Sequence, residues 1–150
     1  MQRFAFLVLI SVAASGTTAA GKELSAALVA AAPAADPIAV AQAVQAMQCA
    51  GQPDGEPVSR LVLIDYSRPS TAPRLWVFDL ATHTLSREER VAHGQGSGDN
   101  HATRFSNDPG SHQTSLGLFR TRDTYIGRNG YSLRLEGLDP GVNDRAMQRA

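Results

Sequence analysis

The sequence predicts a mostly β, α+β domain: a helical N-terminal segment followed by a sheet of about five short strands. Three observations carry this. Helix punctuation is clean between Asp36 and Gly51, the apolar pattern changes after the Gly- and Pro-rich stretch 51–57, and no alternation of strands with long helices follows. The 150 residues suit one domain with room for a hydrophobic core.

The elements follow in order. Residues 1–20, MQRFAFLVLISVAASGTTAA, carry Arg3, an apolar run from Phe4 to Ala14, then small residues with Thr18 and Ala20 at a cleavage-site spacing. That pattern predicts a secretory signal peptide, with the mature chain starting near Gly21 in the periplasm. The apolar run falls short of the ~20 residues a membrane span needs. Residues 21–35 are Ala-rich and predict a partial helix ending at Pro33. In DPIAVAQAVQAMQCAG, Asp36 can cap a helix, Pro37 suits its first position and Gly51 can end it. Its apolar face is expected to carry Ile38, Ala41, Val44 and Met47.

Residues 21–57 are thus a helical region and linker, and 58–150 the main domain. RLVLIDYS (60–67) predicts a strand buried on both faces. RLWVFDL (74–80) predicts a second, with Trp76 and Phe78 on one side and Leu75 and Val77 on the other. A turn with His83 at its tip leads to a polar strand over 85–93, suited to a sheet edge. SLGLFRTRDTYIG (115–127) and YSLRLEGL (131–138) predict two more strands around the turn signal at 128–130. DPGVNDRAMQRA predicts the start of a helix capped by Asn143.

Composition excludes several function classes. Formal net charge is zero and charges are scattered, which argues against nucleic acid and against a cationic membrane-surface helix. Once the signal is cleaved, no membrane contact is expected. No feature sets an oligomeric state. The lone cysteine, Cys49, permits no internal disulfide and lies in a helical, apolar context rather than beside a base.

The stretch from His93 to Gly117, HGQGSGDNHATRFSNDPGSHQTSLG, holds three of the four histidines and almost nothing apolar except Phe105 and Leu116. His93, His101 and His112 lack the tight spacing of a metal site, so no metal is expected. GQGSG has no lysine beside it and no helix after it, which argues against a phosphate loop. Ser97, Ser106, Ser111 and Ser115 sit in no Gly-x-Ser-x-Gly elbow. What remains is a long ordered loop stitched by its own side chains and facing a substrate. His93, Asn107, His112 and Ser115 are its candidate substrate contacts.

LIDYSRPSTAPRLWVFDL, ERVAHGQGSGDN, ATRFSNDPGSHQTSLGLFRT and GYSLRLEGLDPGVNDRA, in that order, closely resemble the murein L,D-transpeptidase catalytic-domain family. The resemblance runs from about Leu61 to the last residue and extends weakly through 36–50. It implies a β-rich secreted enzyme acting on peptidoglycan stem peptides through a cysteine acyl-enzyme, with no cofactor. TSLGLF (114–119) resembles the family's Thr-Pro-x-Gly-x-Phe strand near the cleft. The family's nucleophile lies in Ser-x-Gly-Cys, with a His-Gly pair upstream of it, and both follow the strand. His93-Gly94 precedes that strand and Cys49 is far upstream, so no catalytic residue carries over. The resemblance implies a partial catalytic domain, from a truncated gene product or a fragment, and inactive as it stands. A noncatalytic peptidoglycan-binding protein is the alternative.

Overall fold

The computed structural model describes residues 4–8, 18–51, 57–128 and 130–149. Most of the 51–57 linker, Asn129 of the 128–130 turn, and residues 1–3 and 9–17 of the leader segment lie outside them. The architecture is α+β. Two helices, α1 (Ala19–Ala31) and α2 (Pro37–Ala50), cover one face of a six-stranded sheet. Its strands are β1 (Phe4–Val8), β2 (Arg60–Ile64), β3 (Leu75–Asp79), β4 (Thr84–Glu89), β5 (Gly117–Gly127) and β6 (Gly130–Gly137). They lie in the order β4-β3-β2-β1-β5-β6, with β1 parallel to β2 and every other pairing antiparallel.

Local chemistry explains the helix ends. Asp36 caps α2 by accepting from the backbone N–H groups of Ile38 and Ala39 through Oδ1, at 2.7 and 3.2 Å. Gly51 closes it at φ 68°, a region glycine enters without strain. The buried stripe of α2 differs from the sequence expectation. Ala39, Val40, Ala43 and Val44 face the core, while Ile38 is 69 % exposed. Ile38 lies in the first turn beside the Asp36 cap, and the small side chains of Ala39 and Ala43 let the helix sit close to its neighbours.

β2 is buried from Leu61 to Ile64, as its continuous apolar run predicts. Leu61 and Leu63, with Trp76 and Phe78 of β3, form a core with Leu28 of α1 and Val40 and Val44 of α2. Val62, Ile64 and Phe119 point to the other face, where Leu116 and Phe105 of the polar loop pack on them. The domain is therefore three layers deep: helices, sheet, and the loop from residue 90 to 116. The two apolar residues of that loop are its anchors. The polar β4 lies at one edge of the sheet, as expected.

The C-terminal segment departs from expectation. No α-helix follows Asn143; a series of turns leads into a short 3-10 turn at Ala146–Gln148. Asn143 is fully buried and its side chain serves β5 instead of a helix end.

The sixth strand comes from the leader-like segment. Phe4–Val8 pairs with Arg60–Ile64 on one side, and its residues 5–8 pair with Gly117–Arg120 on the other. Thr18 caps α1 by accepting from Gly21 N at 3.1 Å. A chain beginning at Gly21 loses that cap, worth about 1 kcal/mol, and leaves β2 and β5 facing an open gap. Each lost ladder hydrogen bond is worth about 1 kcal/mol net, so the expected loss exceeds roughly 3 kcal/mol. Thermal melts of the two chains, with amide exchange in β2 and β5, check this; identical melting temperatures would show β1 to be dispensable.

Candidate binding site beneath the clasped loop

Arg74, the residue before β3, is the clasp. It is completely buried. Its Nε and Nη2 donate to the Val91 carbonyl at 3.0 and 2.7 Å, and its Nη1 to the Arg68 carbonyl at 2.9 Å. Nη2 also lies 2.9 Å from His93 Nδ1. A guanidinium has no acceptor, so Nδ1 must accept and the imidazole proton sits on Nε2. Nε2 then donates to the Gly98 carbonyl at 3.0 Å. Both ring nitrogens of His93 are thus spent on holding the loop.

Burial pulls Arg74 below its usual value, while Tyr66 and Asp65 nearby push it back up. The guanidinium remains charged, since arginine stays protonated in proteins. It lies 4.9 Å from the centroid of the Tyr66 ring, a stacked cation–π arrangement. Burial raises the Tyr66 phenol above its ordinary value, against smaller opposing effects of Arg74 and of a hydrogen bond with Thr114. Tyr66 therefore remains a neutral hydroxyl at physiological pH.

The loop is stitched through Ser97, also fully buried. Its Oγ accepts from Thr114 N at 2.8 Å, and its carbonyl accepts from the N–H groups of Thr103 and Arg104. Gly94 N donates to Thr114 Oγ1 at 2.9 Å and Gly96 N to the His112 carbonyl at 2.9 Å. A methyl group at Gly94 or Gly96 would run into the carbonyls of His112 or Ser111. The glycines are there because two legs of the loop run backbone against backbone. Asn100 ties the loop to the 67–73 turn: its Oδ1 accepts from Ser70 Oγ and Thr71 Oγ1 at 3.1 and 3.2 Å.

Between this loop and the sheet lies a cavity of about 310 Å³. Ile64 of β2, Phe119 of β5 and Leu133 and Leu135 of β6 form an apolar floor, with Ala146 beside them. Tyr66, Gln113, Thr114, Ser115, Arg134 and Arg149 supply the polar wall. Arg149 belongs to the C-terminal turn, and its guanidinium closes one end. Nη1 donates to the Ser106 carbonyl at 2.7 Å and to Ser115 Oγ; Nη2 donates to the Gln113 carbonyl and, at 3.4 Å, to Ser111 Oγ. A few polar groups over an apolar floor are the usual makeup of a small-ligand site.

The four candidate contacts named from the sequence do not converge. Ser115 lines the cavity, with its hydroxyl donating to the Ser106 carbonyl at 3.1 Å. His93 belongs to the Arg74 clasp. Asn107 donates to Asp144 Oδ1 at 2.7 Å and accepts from Arg145 N, joining the loop to the C-terminal turn. His112 is exposed in a left-handed conformation, φ 54°, and does not line the cavity. Among the described residues no three His, Cys, Asp or Glu side chains gather as metal ligands. Thr114 opens the TSLGLF segment, but nothing local marks Tyr66, Arg74 or Arg149 as its neighbours; the fold brings them together.

A helix-backed sheet whose other face carries a clasped polar loop, with a mostly apolar cavity between them, defines a small α+β domain. A family profile described as the L,D-transpeptidase catalytic domain matches residues 31–150, and the chain belongs to that family. No curated protein and no solved structure matches it. Domains of this family act on peptidoglycan and are typically extracytoplasmic. No described helix is long and apolar enough to cross a membrane.

Proposed function

We propose that this chain is a periplasmic peptidoglycan-binding form of the L,D-transpeptidase catalytic domain, which holds stem peptides in the cavity under the loop and forms no acyl-enzyme as these 150 residues stand. The observation that carries the reading is the cavity itself. It lies wholly within the matched segment, between TSLGLF and the C-terminal turn, and offers hydroxyl, amide and guanidinium groups over an apolar floor. The leader pattern of residues 1–20 supports export.

The reading of inactivity rests on where the sulfur is. Thiol acyl transfer needs the nucleophile in contact with the scissile carbonyl and beside a base. Cys49 is exposed at the end of α2, in the helical layer, whereas the cavity lies on the opposite face of the sheet. No other cysteine exists in the sequence.

Incubation with purified sacculi tests binding, and incubation with a carbapenem tests acylation. The chain is expected to be retained on sacculi above a control protein of similar charge, and intact mass is expected to show no carbapenem adduct. No retention would remove the binding reading; a stable adduct on Cys49 would remove the claim of inactivity.

A further inference from the structure

We propose that Ile126 and Tyr131, at the tip of the β5–β6 hairpin, form a sugar-stacking ledge that continues the cavity floor, so that the site takes a stem peptide together with the disaccharide that carries it; this rests on the stem-peptide reading above. Ile126 is 78 % exposed and Tyr131 75 %, and the two stand directly opposite each other across the hairpin. Adjacent large apolar side chains left in water mark a contact surface. The bulge in this hairpin lies on β5, where Arg122 and Asp123 face Arg134, so β6 keeps its two-residue period. Tyr131, Leu133 and Leu135 therefore share one face, and the two leucines line the cavity. Across the hairpin, Thr124 stands opposite Leu133 and Ile126 opposite Tyr131. The cavity floor thus runs on to the hairpin tip, about 14 Å from Leu135 to Tyr131 for four residues of strand. The other end is shut. Arg149 bonds to Gln113 and Ser115, just before β5, so a ligand longer than the cavity leaves toward the tip.

The ledge is neutral. None of the cross-strand pairs on this face, Thr121–Leu135, Thr124–Leu133 and Ile126–Tyr131, contains a charged residue. Arg134 and Glu136 alternate to the opposite face. There Arg122 engages Glu136 at 2.6 Å, and the Arg134 guanidinium carbon lies 4.7 Å from the centroid of the Tyr125 ring. An acidic partner would need cations on the ledge, and these pairs supply none. What they supply at the tip is a phenol ring, a branched aliphatic group and the Thr124 hydroxyl. A pyranose presents C–H groups on the face of its ring and hydroxyls at its edge. The C–H face stacks on the negative face of an aromatic ring, and the edge meets hydroxyls that both donate and accept. The disaccharide of peptidoglycan is uncharged once its lactyl carboxyl forms the amide bond to the stem peptide, which matches a neutral ledge continuous with the peptide cavity.

The test is a binding titration of the full chain with an N-acetylated stem tetrapeptide and with the same tetrapeptide carrying its disaccharide. The disaccharide form is expected to bind about tenfold more tightly, a difference of about 1.4 kcal/mol. That preference should not change with salt, since no ion pair carries it. Tyr131→Ala should abolish the preference and leave the affinity for the acetylated tetrapeptide unchanged. Its melting temperature should also be unchanged, because the ring is exposed. Tyr131→Trp should keep the preference, since the larger ring still stacks. Equal affinity for the two ligands, or a preference that survives in Tyr131→Ala, would overturn the ledge while leaving the stem-peptide reading intact. Self-association of the chain that Tyr131→Ala removes would assign the ledge to a second copy instead and overturn it equally. Failure of both ligands to bind, together with no retention on sacculi, would remove the stem-peptide reading as well.

Discussion

Asn143→Ala is expected to destabilise the domain by about 3–5 kcal/mol. Asn143 Nδ2 donates to the carbonyls of Leu116 and Leu118, both at 3.0 Å, and its Oδ1 accepts from Asp139 N at 2.8 Å. Asp139 in turn accepts from Leu118 N through Oδ2 at 2.6 Å. Alanine would strand the Leu116 carbonyl and the Asp139 N–H in a site closed to water, each costing roughly 1–3 kcal/mol, and take one of two donors from the Leu118 carbonyl, which keeps Leu138 N at 2.9 Å. The packing leaves little slack. A side chain at Gly137 would collide with the Asn143 backbone, and one at Gly117 with Asp139 and Asn143. Urea unfolding of the purified variant measures the loss, and a change below about 1 kcal/mol would contradict this account. Because the knot joins β5 to the turn that carries Arg149, the variant should also loosen the cavity wall.

Arg74→Met is the second. Its expected cost is about 3–5 kcal/mol, in the range seen when one member of a buried polar set is removed. Replacing a buried ion pair with apolar residues can be harmless when both partners go. Here the partners stay: the Val91 and Arg68 carbonyls and His93 Nδ1 would all lose their donor. The effect should be regional. Amide exchange is expected to accelerate at Gly96, Thr103 and Thr114, which the clasped loop protects, while β2 and β3 change less. Retention on sacculi should fall, since Gln113, Thr114 and Ser115 of this loop line the cavity. Slow exchange at those three amides in a stable Arg74→Met variant would show that the loop holds itself without the clasp.

These two residues show where the sequence was legible and where it was not. Periodicity identified β2 and β3 and the sides on which Trp76 and Phe78 fall, because alternation and continuous apolar runs are local signals. Asp36, Pro37 and Gly51 announced both ends of α2 for the same reason. Asn143 was legible only as a turn- or cap-forming residue. Its real partners, Leu116 and Leu118, are far from it in sequence, and no local pattern encodes such a pairing. Arg74 looked like any polar residue at the start of a strand. The bulge in β5, where Arg122 and Asp123 face Arg134, was equally silent, since a register shift depends on both strands at once.

The sequence by itself determined the class of fold, the order of its main elements and membership of a cell-wall family, because these depend on residue patterns that repeat along the chain. It also marked residues 93–117 as a loop that must be held by its own polar groups. Tertiary structure decided how that loop is held. It turned Phe105 and Leu116 into anchors, committed His93 and Asn107 to holding the loop, and put Ser115 in a cavity wall with Tyr66, Arg134 and Arg149. It also set Phe4–Val8, leader-like in composition, between β2 and β5. The physical reason is common to all of these. A buried hydrogen bond or a strand slot is satisfied by whichever group the packed chain delivers to it, and distance along the sequence does not enter that choice.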